Sequence, residues 1–259
     1  MPRTVRIAAI SCTHAPFTPP STMKWVCETI SSLKAVDWFV HLGDLFEAGA
    51  ASVHASSAEY SHTLEDEYQF GHNLLKSIRE CLPKKCRFVC HLGNHDDNIL
   101  TQDPRRVPSQ LRSLVDWRKH ERYGAEFKKW HWKPYVKGRD GVSSFGQVRL
   151  VHGFDAGANS DELEGLQIAN LFPGVSNQLV VRGHTHRPMD VTQMRRTARI
   201  PLPFWYANVG TAGPLQPNWM MRKDTSQWGT AIAVIDAVID YKAEGGRQWE
   251  ARVLKMPID

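Results

Sequence analysis

The sequence predicts an α/β protein, with α+β character in its second half, in which two mixed β-sheets pack together and helices flank them. The first half of the chain alternates short apolar runs with helical segments, whereas the second half holds mainly runs of strand length. At 259 residues the chain is long enough for one large domain, and neither a repeat nor a linker divides it. We therefore expect a single domain over residues 1–259.

Short apolar runs bounded by turn residues predict three strands in the first half, and longer amphipathic segments predict two helices. A proline-rich loop precedes the first helix, whose cap is Ser21 or Thr22, and Pro83 ends the second helix. A turn at residues 94–96 follows the third strand. The strands cover residues 5–10, 37–42 and 87–92, and the helices cover residues 21–35 and 58–81.

The second half is predicted to hold mostly strands. A helix over residues 108–123 and a short helix over residues 161–171 interrupt them. Residues 186–199 are expected to be an exposed basic connection, and residues 212–229 a long loop. The strands are predicted at residues 130–136, 142–145, 147–152, 178–182, 203–209, 230–241 and 248–255, of which the last two form a closing hairpin.

Five of the apolar runs end in side chains that can bind a metal ion. These side chains are Cys12, His14, Asp44, Asn94, His152, His184 and His186. The carboxyl ends of strands are where an α/β enzyme keeps its chemistry. Imidazole, carboxylate and amide groups suit Mn, Fe or Zn better than Ca. A carboxylate between two such clusters can bridge two ions, which is the usual arrangement for hydrolysing phosphate esters.

The order of these residues resembles the sequence blocks of the calcineurin-like metallophosphoesterase superfamily. The blocks are Cys12-Thr13-His14, Gly43-Asp44-Leu45-Phe46-Glu47, Gly93-Asn94-His95-Asp96, His152-Gly153 and Gly183-His184-Thr185-His186, and Asn208-Val209-Gly210-Thr211 resembles the block that trails them. One block is weak evidence, but five in the family's order are specific. The resemblance implies a four-layer metallophosphoesterase sandwich and a metal-dependent phosphoesterase, a hydrolase acting on phosphoric ester bonds.

The resemblance also implies a role for each ligand in a centre of two divalent ions, Mn, Fe or Zn. Asp44 would bridge both ions. The other ligands would divide into two sets, Cys12, His14 and His186 for one ion and Asn94, His152 and His184 for the other.

Two residues are implied to serve the reaction rather than to bind metal. His95 would lie over the substrate and protonate the leaving-group oxygen or stabilise the phosphoryl charge. Asp96 would orient the His95 ring by accepting its other N–H. The resemblance implies that a hydroxide held by the dinuclear centre attacks phosphorus. The expected function is hydrolysis of a phosphate ester, with a phosphodiester favoured.

Cys12 departs from the family, which normally has Asp at this position. Three interpretations stay open. The thiolate binds metal and favours a softer ion such as Zn or Fe over Mn; one ion is weakly held, so that the enzyme depends on added metal; or catalysis is lost and the fold serves as a binding module. A working site is favoured because His95 and the other expected ligands are present. Taken alone, Cys12 is also explained as a small buried hydrophobe.

The basic charge of the chain is concentrated in one segment. Residues 104–139 hold 11 Lys or Arg and 3 Asp or Glu, a balance of +8 in a chain of net charge +5. A solvated helical face explains this, and so does a surface for a phosphate-bearing substrate. The expected partner is therefore a phosphate ester of the nucleotide or nucleic-acid type, with a nuclease as the alternative. Arg105 and Arg106 could reach the mouth of the site, and Trp219 and Trp228 could stack on a base.

The sequence gives no sign of a membrane partner. It has no apolar run of the length that a membrane helix needs. The first residues lack the pattern of a signal peptide, and five cysteines, an odd number, suggest reduced thiols. We therefore expect a cytoplasmic location, and the oligomeric state stays open.

Overall fold

The computed structural model describes residues 3–49, 61–100, 115–194, 203–217, 224–239 and 246–257, and all statements below concern these residues. In chain order the strands are β1 Thr4–Ile10, β2 Trp38–His41, β3 Arg87–His91, β4 His131–Lys133, β5 Ser143–Phe145, β6 Val148–Val151, β7 Gln178–Arg182, β8 Met189–Gln193, β9 Phe204–Asn208, β10 Ala231–Val238 and β11 Trp249–Lys255. The helices are α1 Pro20–Ser32, α2 Leu64–Glu80, α3 Asn94–Leu100, α4 Gly124–Phe127 and α5 Ser160–Asn170, with 3₁₀ turns at Trp117–Lys119 and Arg139–Gly141.

These strands form two mixed sheets, as expected. The first sheet has the order β11-β10-β1-β2-β3-β4. Strands β1 to β4 are parallel to one another, and β10 is antiparallel to both of its neighbours, β1 and β11. The second sheet has the order β5-β6-β7-β9-β8, in which β6, β7 and β9 are parallel and the edge strands are antiparallel. Parallel strands bring their carboxyl ends to one edge of each sheet, which is where the site forms.

The core between the sheets follows from the period of a strand. In β1, Val5, Ile7 and Ala9 pack with apolar side chains of the second sheet, whereas Ala8 and Ile10 pack with the helices on the other face. Successive side chains of a strand point to opposite faces, so one strand contributes to two cores. Fully burying an aliphatic side chain contributes about 1.5–3 kcal/mol, so β1 stabilises the packing on both of its faces.

Helices cover the outer face of each sheet. α1 buries Thr22, Val26 and Ile30, which share one helix face because they are four residues apart. On the second sheet, Ile168 of α5 packs in a cluster with Val180 of β7. The order of layers is helix, sheet, sheet, helix, and this confirms the predicted four-layer sandwich.

The start of each of the first two helices differs from the prediction. The cap expected at Ser21 or Thr22 is wrong, because α1 begins at Pro20, and proline fits the first turn, where its missing N–H needs no partner. α2 begins at Leu64, where Thr63 and Asp66 form a capping box, while residues 50–60 lie outside the described residues. Among the helices described, none is long and apolar enough to cross a membrane.

Two segments predicted to be irregular contain regular structure. The turn expected at residues 94–96 is the first turn of α3, in which the Asp96 carboxylate accepts the Gly93 N–H. The connection expected at residues 186–199 contains β8, which pairs with β9 at the edge of the second sheet. Hydrogen bonds to backbone groups stabilise both segments. The prediction relied on the pattern of apolar residues, so it did not find them.

The helix expected at residues 108–123 is absent from the described part of that range, and residues 101–114, including Arg105 and Arg106, lie outside the described residues. Asp116 accepts the backbone N–H of Arg118 and binds its guanidinium group. The Trp117 ring is fully buried, 4.9 Å from the ring of Phe46. These contacts override the helical propensity of the segment and leave a 3₁₀ turn followed by the short helix α4.

Candidate metal centre

Loops at the carboxyl ends of strands from both sheets meet at one place. Backbone hydrogen bonds join them, from Cys12 N to Gly43 O (2.9 Å), from His14 N to Asp44 O (3.0 Å) and from Gly183 N to His152 O (3.0 Å). The structure thus gathers all the metal-binding candidates from the sequence, namely Cys12, His14, Asp44, Asn94, His152, His184 and His186.

His14 and His186 form the first cluster with Cys12. The Nε2 atoms of the two histidines are 3.2 Å apart. The thiol of Cys12 lies close to both, so that the three donor atoms fall within 4.8 Å of one another. Residues from the first and second sheets therefore share one donor set.

His152 is the centre of the second cluster. Its Nε2 lies 3.2 Å from His184 Nδ1, 3.3 Å from Asn94 Oδ1 and 3.3 Å from Asp44 Oδ2. The other ring nitrogen, Nδ1, lies 2.7 Å from the carbonyl oxygen of Leu42, a pure acceptor. This assigns the N–H to Nδ1 and leaves Nε2 with the lone pair that a metal ion requires.

Asp44 lies where the two clusters meet. Its Oδ2 faces His152, and its Oδ1 accepts the backbone N–H of His95 at 3.0 Å. Cys12, Asp44 and His152 form a further group of donor atoms within 4.8 Å. Burial alone would raise the pKa of the Asp44 carboxyl, but His152 and His95 hold it well below its usual range. The carboxylate is therefore ionised and is placed as a bridging ligand would be.

Five of the seven donor residues have a backbone conformation that L-residues rarely adopt. Positive φ values between 50° and 67° occur at Cys12, His14, Asp44, His184 and His186. Each such residue costs on the order of 1–3 kcal/mol, and such strain persists where the surrounding structure fixes it, often at functional sites. Here the conformation turns each side chain away from its strand direction and toward the shared centre.

Two glycines allow the loops after β2 and β3 to touch. A Cβ at Gly93 would overlap the backbone N and the Oδ1 of Asp44. Gly43 has a φ of +103°, and a Cβ there would lie 2.7 Å from Nδ1 of His152. The contact between these loops places Asp44 and Asn94 in the same cluster.

The donor set fits two divalent ions. Burial and the neighbouring His152 lower the pKa of His184 to about 3, and burial and His14 lower the pKa of His186 well below its usual value. Both rings are therefore neutral, which is the form that binds metal. The Nδ1 atom of His186 is buried and has no hydrogen-bond partner among the described residues. Nitrogen, oxygen and sulfur donors in this combination suit Mn, Fe or Zn.

Cys12 points into the centre. Its Sγ lies 3.1 Å from Ser11 Oγ and accepts the backbone N–H of His184 at 3.4 Å. Burial, together with the charge of Asp44, raises the pKa of the thiol well above its usual value. The metal-free protein therefore holds a neutral thiol at the position where the family normally has a carboxylate.

The sequence match decides the family. The family model described as Calcineurin-like phosphoesterase matches residues 5–188, a range that contains every residue of both clusters. The chain belongs to the calcineurin-like phosphoesterase family. This confirms the resemblance seen in the sequence blocks. No curated protein matches the chain.

Several solved structures resemble this phosphoesterase at low sequence identity. A predicted phosphoesterase from Streptococcus pneumoniae TIGR4 is 13% identical with a TM-score of 0.36, over 98% of this chain and 99% of that one. A hypothetical protein from Thermus thermophilus is 14% identical with a TM-score of 0.46, over 98% and 100%. A novel phosphatase from Mycoplasma pneumoniae is 10% identical with a TM-score of 0.39, over 98% and 95%.

His95 stands beside the two clusters of the phosphoesterase and lines its cleft. Its Nδ1 lies 2.6 Å from the carbonyl oxygen of Glu47, so Nδ1 donates and Nε2 is left for the cleft. Burial opposes a charged ring, but the carboxylates of Asp44 and Glu47 and the Glu47 carbonyl outweigh it and raise the pKa of His95 to about 9. In the metal-free protein the ring is therefore protonated at neutral pH.

Asp96 does not orient the His95 ring, so that interpretation is wrong. Its two carboxylate oxygens accept the backbone N–H groups of Leu45, Phe46 and Gly93. The ring is oriented instead by the Glu47 carbonyl. Asp96 ties the start of α3 to the loop that carries Asp44, and burial and the charge of Asp44 raise its pKa to about 6.

A cleft of about 550 Å³ opens over the two clusters. Trp228 forms part of its wall, with its ring 4.2 Å from the ring of His186. Arg187 lines the same wall and donates to the carbonyl oxygen of Gly157 at 2.8 Å. The other lining residues are His14, Asp44, Asn94, His95, Ala156, His184, Thr185, His186, Pro214, Pro217, Asp224 and Gln227. Trp219, the other tryptophan considered for stacking, lies outside the described residues.

A buried ion cluster supports the loops of the second sheet. Arg182 is 1% exposed, and its guanidinium lies 3.0 Å from Glu164 and 3.5 Å from Asp161. Asn208 donates to Asp161 at 2.6 Å and to the Gly183 carbonyl at 3.0 Å. These contacts hold the backbone just before His184 and give Asn208, the first residue of the trailing block, a structural role.

Sequence patterns missed one residue of the site. Glu47 contacts both His14 and His95, but it lies in a loop and belongs to no recognised ligand position. A signal was available, because Glu47 is the last residue of the Asp44 block and lies in the exit loop of a buried strand. An acidic residue in such a loop lies near the metal-binding edge of the sheet.

We predict that Arg182→Met destabilises the protein by about 3–5 kcal/mol, because Asp161 and Glu164 would lose the cation that compensates their buried charges. Urea unfolding followed by circular dichroism measures this change. Arg6→Met is the matched control, because Arg6 forms a pair with Asp236 at 2.7 Å in which both side chains are about one-third exposed. We expect that variant to lose about 0–1 kcal/mol. Equal losses in the two variants would contradict the structural role of Arg182.

We predict that the His95 ring of the metal-free protein stays protonated at pH 7 and loses its proton as the pH rises through about 9. Because the folded-state pKa lies above the usual value, the stability that this charge contributes is complete below about pH 6.5 and is lost as the pH rises through 9. An NMR titration of the ring in chelator-treated protein measures the pKa, and His95→Gln identifies the signal. A titration midpoint at or below 6.5 would contradict the prediction.

Proposed function

We propose that this protein is a metal-dependent phosphodiesterase that hydrolyses diesters carrying a planar group, such as nucleotide derivatives, with His95 assisting the leaving group. The observation that carries the proposal is the position of Asp44. It lies between two clusters of donor atoms, and its Oδ1 also accepts the N–H of His95. The site therefore combines a bridging carboxylate with a protonated ring at the edge of one cleft.

The proposed roles of the chain follow from these contacts. Cys12, His14, Asp44, Asn94, His152, His184 and His186 would hold two divalent ions. Bound ions supply Lewis acidity at the phosphoryl oxygens and acidify water at neutral pH. His95 presents Nε2 to the cleft because its Nδ1 is bonded to Glu47. From Nε2 it would give a proton to the departing ester oxygen, a step that general acids accelerate by about 10²–10⁴.

The walls of the cleft favour a compact substrate over a nucleic acid. Trp228 offers an aromatic surface beside His186, and Arg187 adds a cation. The described part of the basic segment, residues 115–139, contributes no residue to the cleft wall. Ion pairs bind several of its cations, including Arg118 with Asp116 at 2.7 Å. A basic surface apart from the cleft weakens the case for a nuclease.

We predict that Asp44→Ala abolishes phosphodiester hydrolysis and lowers the metal content, because both clusters lose their shared carboxylate.

His95→Ala is expected to reduce kcat by about 10²–10⁴ while the metal content stays as in the wild type. The assay is hydrolysis of bis-p-nitrophenyl phosphate, with p-nitrophenyl phosphate for comparison, by chelator-stripped protein given Mn, Fe, Zn, Ni or Mg. A wild-type rate in Asp44→Ala would contradict the site, and lost metal in His95→Ala would contradict the role of that residue.

A second function is motivated by the neutral thiol of Cys12, which removes one negative charge from the centre. On this alternative the protein is a binding module built on a hydrolase fold. The same assay separates the two functions when Cys12→Asp is included. A wild-type protein that binds metal but is inactive with every ion, beside an active Cys12→Asp variant, would establish the module. Turnover by the wild type, with a changed metal preference in Cys12→Asp, would establish the enzyme and place the sulfur among its ligands.

We predict that Trp228 selects the planar group of the substrate. The test compares the p-nitrophenyl ester of thymidine 5′-phosphate with methyl p-nitrophenyl phosphate, which has the same leaving group and no base. Base stacking on an aromatic side chain contributes about 1–3 kcal/mol, so Trp228→Ala should raise KM for the nucleotide ester about tenfold or more. Trp228→Phe retains a ring and should retain most of the preference. An unchanged ratio of kcat/KM values in Trp228→Ala would show that this wall does not read the substrate.

A further inference from the structure

The Glu47 carboxylate lies between two histidines that come from different sequence blocks. Its Oε2 is 2.8 Å from Nδ1 of His14, and its Oε1 is 3.9 Å from Nδ1 of His95. The side chain is 11% exposed. The backbone carbonyl of the same residue lies 2.6 Å from Nδ1 of His95. One residue therefore touches a candidate ligand through its side chain and the candidate proton donor through its backbone.

The position of Glu47 is set by the backbone. Glu47 N donates to the carbonyl of Ala15 at 3.0 Å, and Ala15 N donates to the carbonyl of Leu45 at 2.8 Å, so a single parallel β-bridge joins the loops after β1 and β2. Ala48 N donates to the carboxylate of Glu67 at 2.7 Å, which fixes the next residue as well. These hydrogen bonds fix the loop that places the Glu47 carboxylate beside His14.

The two ring nitrogens of His14 have different surroundings. Nε2 faces Nε2 of His186 at 3.2 Å and belongs to the donor set with Cys12. Nδ1 lies 2.8 Å from Oε2 of Glu47, an ion-pair distance without the angle of a hydrogen bond, and neither atom has a hydrogen-bond partner among the described residues. A carboxylate beside Nδ1 favours the tautomer with the proton on that nitrogen, which leaves the lone pair on Nε2.

We propose that Glu47 is a positioning residue for His14: its carboxylate keeps this ring in the tautomer that binds metal through Nε2. The proposal rests on the metal centre of the proposed function but not on its phosphodiesterase activity. It also accounts for a site that lacks the carboxylate of the first block. Glu47 supplies a negative charge next to the cluster in which Cys12 stands.

The experiment measures metal affinity in the full chain. Stripped wild type, Glu47→Ala and Glu47→Gln are titrated with Zn and Mn by calorimetry, and the protonated nitrogen of His14 is identified by ¹H–¹⁵N NMR of the rings. We expect Glu47→Ala to weaken one of two ions by about 10- to 100-fold and to shift the His14 tautomer population away from Nδ1–H. Glu47→Gln keeps an acceptor oxygen without the charge and should lie between Glu47→Ala and the wild type.

Glu67→Ala is the matched control, because Glu67 stabilises the same loop through the N–H of Ala48. That variant should lower the melting temperature and leave both metal affinities and the His14 tautomer unchanged. Equal loss of metal affinity in Glu67→Ala and Glu47→Ala would overturn the proposal, since it would reduce Glu47 to a loop support. Wild-type affinity and tautomer in both Glu47 variants would overturn it too. If Glu47→Ala does not fold, the isosteric Glu47→Gln decides by the same two readouts.

The failure of the proposed function is recognised separately. A wild-type protein that binds two ions and hydrolyses no diester would refute the phosphodiesterase. The dependence of metal affinity on Glu47 would still stand or fall by the titrations. Turnover that depends on Glu47 without any change in affinity or tautomer would overturn the positioning role while leaving the enzyme intact.

Discussion

The contact between the loops after β2 and β3 is the constraint on which the site depends. A side chain at Gly93 would occupy the space of the Asp44 carboxylate, so the two loops can meet only through bare backbone. The first sheet supplies His14, Asp44 and Asn94, and the second supplies the remaining histidines. The donors converge only while the two sheets keep their packing against each other. The apolar layer between the sheets therefore holds the strained loops in place, and burial there offsets backbone strain of about 1–3 kcal/mol per residue.

The surroundings of each histidine separate two kinds of chemistry within a few ångströms. Burial keeps rings such as His184 and His186 neutral, as metal binding requires. His95 has two carboxylates and a carbonyl near its ring, so it carries a proton under the same conditions. Titratable groups whose pKa values are pushed apart by their surroundings mark the division of roles in an active site. The sequence blocks predict which histidines lie at the site. The burial and the charges around each ring determine which of them carries a proton.

The strands and the ligand positions could be predicted because both depend on short sequence patterns. The strand expected at residues 178–182 is β7, and most of the other strands agree to within a residue or two at each end. Asp96 was misassigned because its partners are three backbone N–H groups, and no pattern of side chains encodes a backbone partner. Glu47 was missed for a related reason: its contact with His14 depends on the pairing of two loops that are distant in sequence.

The thiol of Cys12 makes metal binding at this centre a matter of charge as well as geometry. A carboxylate at this position would already be ionised at neutral pH, whereas the buried thiol beside Asp44 is protonated. A thiol must lose its proton to bind a metal, so an ion that uses this sulfur must displace a proton that burial strongly retains. Ions that bind thiolate strongly gain most from that exchange, and ions that prefer oxygen gain least. With Cys12 as the proposed ligand, the single departure from the family's first block would therefore select among metals. The charge of Glu47, on the far side of His14, would partly replace the negative charge that the first block lacks.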